Sequence, residues 1–162
     1  MKKNKLLFYY LIFLAIILVI IGIIINYSMF SNNGNIENLT NQWINAVTVN
    51  NDPIEVANMF CTDGSLVGTV SKEIRTRDDI KGYFDFFAKL PEIQVISKKY
   101  NISKVTSNVY LNTAFITWKW QGLEEPIVAR MTFIFRDNCI FQLHSSSLPE
   151  LNKDLLNISG SA

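Results

Sequence analysis

The sequence predicts an α+β domain, a cone-shaped curved antiparallel sheet packed on about three helices, preceded by one transmembrane helix. Three observations carry this reading. From Leu6 to Ile25 there is no charged residue and no Asn, Gln or Pro. Beyond a short polar spacer, apolar residues recur at helical spacing in three separate stretches, two of them opened by capping residues. From Ile93 onward the period changes to two, in stretches rich in β-branched and aromatic residues.

The apolar run comes first. At 1.5 Å rise per residue, roughly 20 residues span a hydrocarbon core of about 30 Å, and a helix satisfies every backbone group inside it. A cleaved signal peptide is the rival, but its apolar region is usually about 7–15 residues and ends in small residues. Here the run is longer, and Asn26-Tyr27-Ser28-Met29-Phe30-Ser31 follows it. Lys2, Lys3 and Lys5 precede the run, and the next basic residue is Lys72. The positive-inside rule then leaves residues 1–5 in the cytoplasm, residues 6–27 in the bilayer as a signal-anchor, and the rest on the lumenal, extracellular or periplasmic side.

With those three lysines set aside, 12 of the 15 basic residues stand against 14 acidic ones. A near-neutral domain without a basic run gives no electrostatic reason to bind nucleic acid. Cys61, Cys139 and the lone His144 have no zinc-ligand spacing, so neither a metal nor another cofactor is expected. In an exported domain the two cysteines could form a bridge, or they could be small buried apolar residues. The triplets at Asn38, Asn101 and Asn157 fit the N-glycosylation pattern, which matters only in a glycosylating host.

Residues 28–35 read as a polar linker. Ile36, Leu39, Trp43 and Val47 then mark a first amphipathic helix. Asp52 caps a second, with Pro53 at its first position and Glu55 three residues after the cap. Asp63-Gly64 is a turn, and a short strand covers 65–70. Thr76 with Asp79 caps a third helix, whose stripe is Ile80, Tyr83, Phe84, Phe87 and Leu90 before Pro91. Asp78 and Asp79 are better explained by the helix dipole than as a catalytic pair. Strands are expected at about 93–105, 108–121, 126–136 and 139–146, with Glu124-Glu125 at a solvated tip. The domain covers residues 36–150, and 151–162 read as a polar, loosely held tail.

Helices followed by strands imply helices segregated to one face of the sheet, and a bent sheet closing on a long helix leaves a conical pocket. Alternation puts Val128, Arg130, Thr132 and Ile134 on one face of a strand and Ala129, Met131, Phe133 and Phe135 on the other. Apolar neighbours along its face imply a partly enclosed Arg130, which then needs a carboxylate from the chain, such as Asp85 or Glu73, or an anionic ligand. Trp118 and Trp120 share one strand face, either exposed as an interface or buried against the helices. Ser145 and Ser146 lack a base, because successive strand residues face opposite sides and the one histidine adjoins them.

Three stretches resemble a known family. They are Gly68-Thr69-Val70-Ser71 with Arg75; Ile80 with Tyr83-Phe84-Asp85-Phe86-Phe87 and Pro91; and Ala129-Arg130-Met131-Thr132-Phe133 with His144-Ser145-Ser146-Ser147-Leu148-Pro149-Glu150. Their order resembles the association-domain-like branch of the nuclear transport factor 2-like superfamily, which includes the hub of calcium/calmodulin-dependent protein kinase II and, more distantly, SnoaL-like cyclases. The chain departs from that pattern at Asn138-Cys139, where a Trp is usual, at Leu143 before His144, and at Ser145, where the hub has a pocket arginine. The resemblance implies a homo-oligomeric module without catalysis, or one binding a small carboxylate in the cone through Arg130, His144, Ser145, Arg75 and Tyr83. The alternative it implies is a lyase, isomerase or cyclase, with His144 as catalytic base and Arg130 as carboxylate anchor. Arg77 is a further rim candidate.

Overall fold

The computed structural model describes residues 2–69, 71–76 and 78–147, with side chains at all of these except 2–12 and 24–33. The expected tail at 151–162, the Asn157 triplet, Arg77, Val70 and residues 148–150 of the third stretch lie outside the described residues. In chain order the elements are α1 (Lys2–Thr48), α2 (Pro53–Asn58), β1 (Phe60–Val67), β2 (Ile74–Thr76), α3 (Asp78–Phe87), β3 (Gln94–Lys104), β4 (Val109–Lys119), β5 (Ile127–Arg136) and β6 (Cys139–Ser147). The chain divides into two units, Met1–Asn35 and Ile36–Ala162.

In the first unit the described side chains run from Phe13 to Ile23. Phe13, Leu14, Ile16, Leu18, Val19, Ile20, Ile21 and Ile23 are between 43% and 63% exposed. Among the described residues no helix is long and apolar enough to cross a membrane. Residues 28–35 are helical rather than the expected spacer. They contain no proline, and one mid-helix glycine, Gly34, costs only about 1 kcal/mol.

In the second unit the last turns of α1 bury Ile36, Thr40, Trp43, Ile44, Ala46 and Val47. Asp52 caps α2 as expected, its carboxylate accepting from the Ile54 N–H at 2.8 Å and the Glu55 N–H at 3.2 Å, with Pro53 at the first turn. Glu55 accepts from the Asn50 amide instead of reaching back to the cap. The strand expected at 65–70 begins earlier and ends at Val67. Thr76 belongs to the unexpected strand β2, and α3 starts at Asp78, so Thr76 does not cap it. Asp78 and Asp79 occupy the first turn of α3, where negative charge meets the positive end of the dipole.

The sheet has the order β2-β1-β6-β5-β4-β3. It is not wholly antiparallel, because β1 pairs with β6 in parallel. Bulges at Ile96 and Phe141 interrupt the ladders, and such extra residues bend a strand and raise its twist. A larger excursion, Cys61 to Gly64, separates the Phe60–Ile140 pair from the Ser65–Gln142 pair. Gly64 is required there, since a Cβ would lie 2.8 Å from the Ile140 carbonyl. Cys61 and Cys139 are joined by a disulfide with Cα atoms 5.1 Å apart, which settles the two readings of these cysteines in favour of the bridge. Asp63, in the same excursion, forms an ion pair with Arg136, whose guanidinium lies 4.1 Å from the centroid of the Phe141 ring.

The core lies between the helices and one face of this sheet. Trp43 is its centre, edge-on to Phe133 at 5.3 Å, Phe84 at 5.8 Å and Trp118 at 6.2 Å between ring centroids. Ala129, Met131, Phe133 and Phe135 of β5 all point inward and are at most 3% exposed. Trp118 is buried with them and Trp120 packs partly against them, so the tryptophan pair is core rather than an outer interface.

Candidate functional site

Inside the cone the space left is about 10 Å³, lined by Trp43, Gly68, Thr69, Tyr83, Trp118 and Ser145 among others. A cavity needs roughly 10–15 Å³ to hold one water, so the interior is filled by its own side chains. Gly68, in its lining, lies so near Tyr83 that a Cβ would sit 2.4 Å from the ring, and the Arg75 guanidinium stands over that ring, 5.9 Å from its centroid. Two hydroxyls of the lining pair with each other: Thr69 Oγ1 and Ser145 Oγ are 2.5 Å apart.

Deeper in the core, the Asn112 amide donates to Thr40 Oγ1 at 2.8 Å, and that hydroxyl donates to the Ile36 carbonyl at 2.9 Å. Trp43 Nε1 and Asn112 Oδ1 have no hydrogen-bond partner. One is a donor and the other an acceptor, and both belong to neutral groups. Near the edge strand, Lys98 Nζ and the Tyr100 hydroxyl both donate to Asn41 Oδ1. Burial pushes the Tyr100 phenol up to about 12, and the charge of Glu37 adds to the effect. The hydrogen bond from Arg136 holds the Asp63 carboxyl below its ordinary value.

The structure separates the expected site residues. Ser145 and Tyr83 line the cone, and Arg75 stacks at Tyr83. Arg130 and His144 do not join them, since both are exposed on the opposite face of the sheet. The alternation of β5 was read correctly, but the face was not. Four inward residues, Ala129, Met131, Phe133 and Phe135, fill the core more fully than Val128 and Ile134 could, and that choice turns Arg130 outward. Among the described residues Arg130 forms no ion pair with Asp85, Glu73 or another acid, and the Asp85 carboxylate is paired with Lys81 at 2.7 Å instead.

The outer face that receives them forms a grid across the ladders. One rung carries Lys99, Phe115, Arg130 and Ser146, and the next carries Asn101, Thr113, Thr132, His144 and Val67. A third carries Ser103, Leu111, Ile134, Gln142 and Ser65. Phe115 is 48% exposed, and Leu111, Ile134 and Val67 are half-buried. Sequence reading missed Lys99 and Phe115. Their signal was present, because each follows the same two-residue alternation as its neighbours.

No family model matches the chain, and no curated protein does. Solved structures do. A candidate calcium/calmodulin-dependent protein kinase II association domain from Xanthomonas campestris is 25% identical, over 72% of this chain and 87% of that one, with a TM-score of 0.62. A candidate dehydratase of the NTF2-like family from Streptomyces avermitilis is 14% identical, covering 74% and 97%, with a TM-score of 0.64. A candidate scytalone dehydratase from Novosphingobium aromaticivorans is 11% identical, covering 76% and 89%, with a TM-score of 0.60. These two share the fold only. The chain therefore has the fold of nuclear transport factor 2-like proteins, and it is similar to the Xanthomonas association domain over most of its length.

Proposed function

We propose that the second unit is a non-catalytic association module that pairs with another copy of itself through the outer face of its sheet. The observation that carries this is the sidedness of the site. The cone is filled, while the exposed face presents Phe115, Leu111, Ile134 and Val67 among hydroxyl and amide groups. An apolar centre with aromatic and arginine side chains has the composition of an interface. The Xanthomonas protein, described as an association domain, supports the same reading. The lyase, isomerase or cyclase alternative needs Arg130 and His144 to converge on a substrate inside the cone, and they lie outside it. A small carboxylate in the cone would find neutral groups, the hydroxyls of Ser145, Thr69 and Tyr83 and the indoles of Trp43 and Trp118, without a cation in the described lining.

The proposal includes residues 6–27 as a membrane anchor, with the folded unit on the non-cytoplasmic side. Apolar side chains exposed in succession from Phe13 to Ile23 support an apolar surrounding, Lys2, Lys3 and Lys5 support the orientation, and a disulfide supports an oxidising compartment. Light scattering on the full chain in an uncharged detergent tests the association. A dimer or larger assembly is expected, and Phe115→Glu should reduce it to the monomer. A wild-type chain that stays monomeric at tens of micromolar defeats the reading. For the anchor, protease added to intact cells or sealed vesicles should meet a C-terminal tag only from the non-cytoplasmic side.

A further inference from the structure

The charged side chains on the central rungs of the outer face are all basic. Among the described residues of its three central rungs there is no Asp or Glu, while Lys99, Arg130 and the ionisable His144 lie within neighbouring rungs. Among the described residues neither Lys99 nor Arg130 takes part in an ion pair. Arg136, one step further along β5, already has Asp63 as its partner. Arg130 lies on β5, with β6 on one side and β4 on the other, in the interior of the sheet.

A second copy docked face to face brings a second set of these cations. Docking excludes water, and a charge removed from water needs a partner. The partner copy offers none on this face. An oxyanion fits, because a guanidinium presents a planar fork of donors to it. Lys99 adds an ammonium, His144 contributes an N–H, and the hydroxyls of Thr132 and Ser146 stand beside them on the grid.

We infer that association through this face is clamped by a multivalent oxyanion, a phosphate or a small polycarboxylate, seated by Arg130 with Lys99 and His144 between two copies. This rests on the self-association reading above and adds to it the ligand class on which assembly depends. The site is distinct from the cone, and it exists in full only when two faces meet.

The test is light scattering on the full chain in an uncharged detergent, in chloride, inorganic phosphate and citrate at matched ionic strength. A charge-assisted contact of the usual strength should tighten the dimer about tenfold or more in at least one oxyanion buffer relative to chloride. The phosphate and citrate arms show which chemistry is preferred. In Arg130→Gln the dependence should vanish, while thermal melting of the dilute, dissociated chain in chloride stays unchanged, because there the side chain is exposed and in no ion pair among the described residues. Equal dimerisation of the wild type in all three buffers overturns the inference while leaving self-association standing. So does an oxyanion gain that persists undiminished in Arg130→Gln, which would be general strengthening of apolar burial by such salts. A monomer in every buffer overturns self-association itself, and the clamp with it.

Discussion

His144 and Ser145 are chain neighbours on opposite faces of β6. The serine hydroxyl lies 2.5 Å from Thr69 Oγ1 inside the cone, and the imidazole stands exposed outside, opposite Thr132. The two residues therefore belong to different chemistries, one to a self-paired core and the other to a surface available for docking. The same division predicts how unequal substitutions at core and face should be.

Trp43→Ala should destabilise the folded unit by about 3–5 kcal/mol, because it removes the ring that Phe133, Phe84 and Trp118 meet edge-on. His144→Ala, on the exposed face, should stay within about 0.5 kcal/mol of wild type. Urea titration followed by circular dichroism measures both, and similar losses would contradict the assigned faces.

Cys139→Ser opens a cross-link between residues 78 apart in sequence. A loop of this size constrains the unfolded chain by roughly 4–5 kcal/mol in the entropic account, and measured losses for such bridges are about 2–5 kcal/mol. The melting temperature should fall accordingly, and treatment of the wild type with reductant should reproduce the loss. Reductant without effect on the wild type would show that the bridge is not formed in the protein as isolated.

Gly68→Ala puts a methyl group 2.4 Å from the Tyr83 ring. Tyr83 is 8% exposed and stacked on Phe87, so it can yield only by disturbing that packing. A loss of about 1–3 kcal/mol is expected. Urea unfolding measures it, and Gly68→Ala combined with Tyr83→Ala should recover part of what the two single changes lose separately, because the colliding ring is gone. Simple additivity would mean that the two positions are not in contact.

Tyr100 gives a pH signature. Its phenol is pushed up to about 12 in the folded state, by burial first and by Glu37 second, against about 10 in an unfolded chain. The folded state binds this proton more tightly, so the contribution is fully present below pH ~10. It is lost as the pH rises from there towards about 12, and stability should decline over that window. Tyr100→Phe should flatten the decline, as read from urea midpoints across the alkaline range. An unchanged slope in the variant would assign it to other groups.

Much of the fold was legible because it depends on local rules. The four strands after Ile93 came within one or two residues of β3, β4, β5 and β6, since turn residues and a two-residue period leave little choice. Asp52 and Pro53 announced α2 by chemistry confined to one turn. The candidate site was less legible because it depends on tertiary choice. In β5 both faces carry apolar residues, and only packing against Trp43 and Phe84 decides which set turns inward. Arg130 followed that decision. Trp118 was ambiguous for the same reason, and β2 is a three-residue strand visible only through its pairing with β1. The bridge between Cys61 and Cys139 could be named as a possibility, yet only the parallel β1–β6 pairing brings the two sulfurs together.

That parallel pairing also orders events in time. The first long strand of the sheet to leave the ribosome has, as its neighbour, the last, and the two are clasped by cysteines 78 positions apart. Until β6 emerges, β1 has β2 on one side and an open edge on the other, and contacts that span so much chain form slowly. A chain truncated before residue 139 should therefore be held by chaperones or lost to proteases, whereas one that runs a few residues beyond Ser147 should close once it is released from the ribosome.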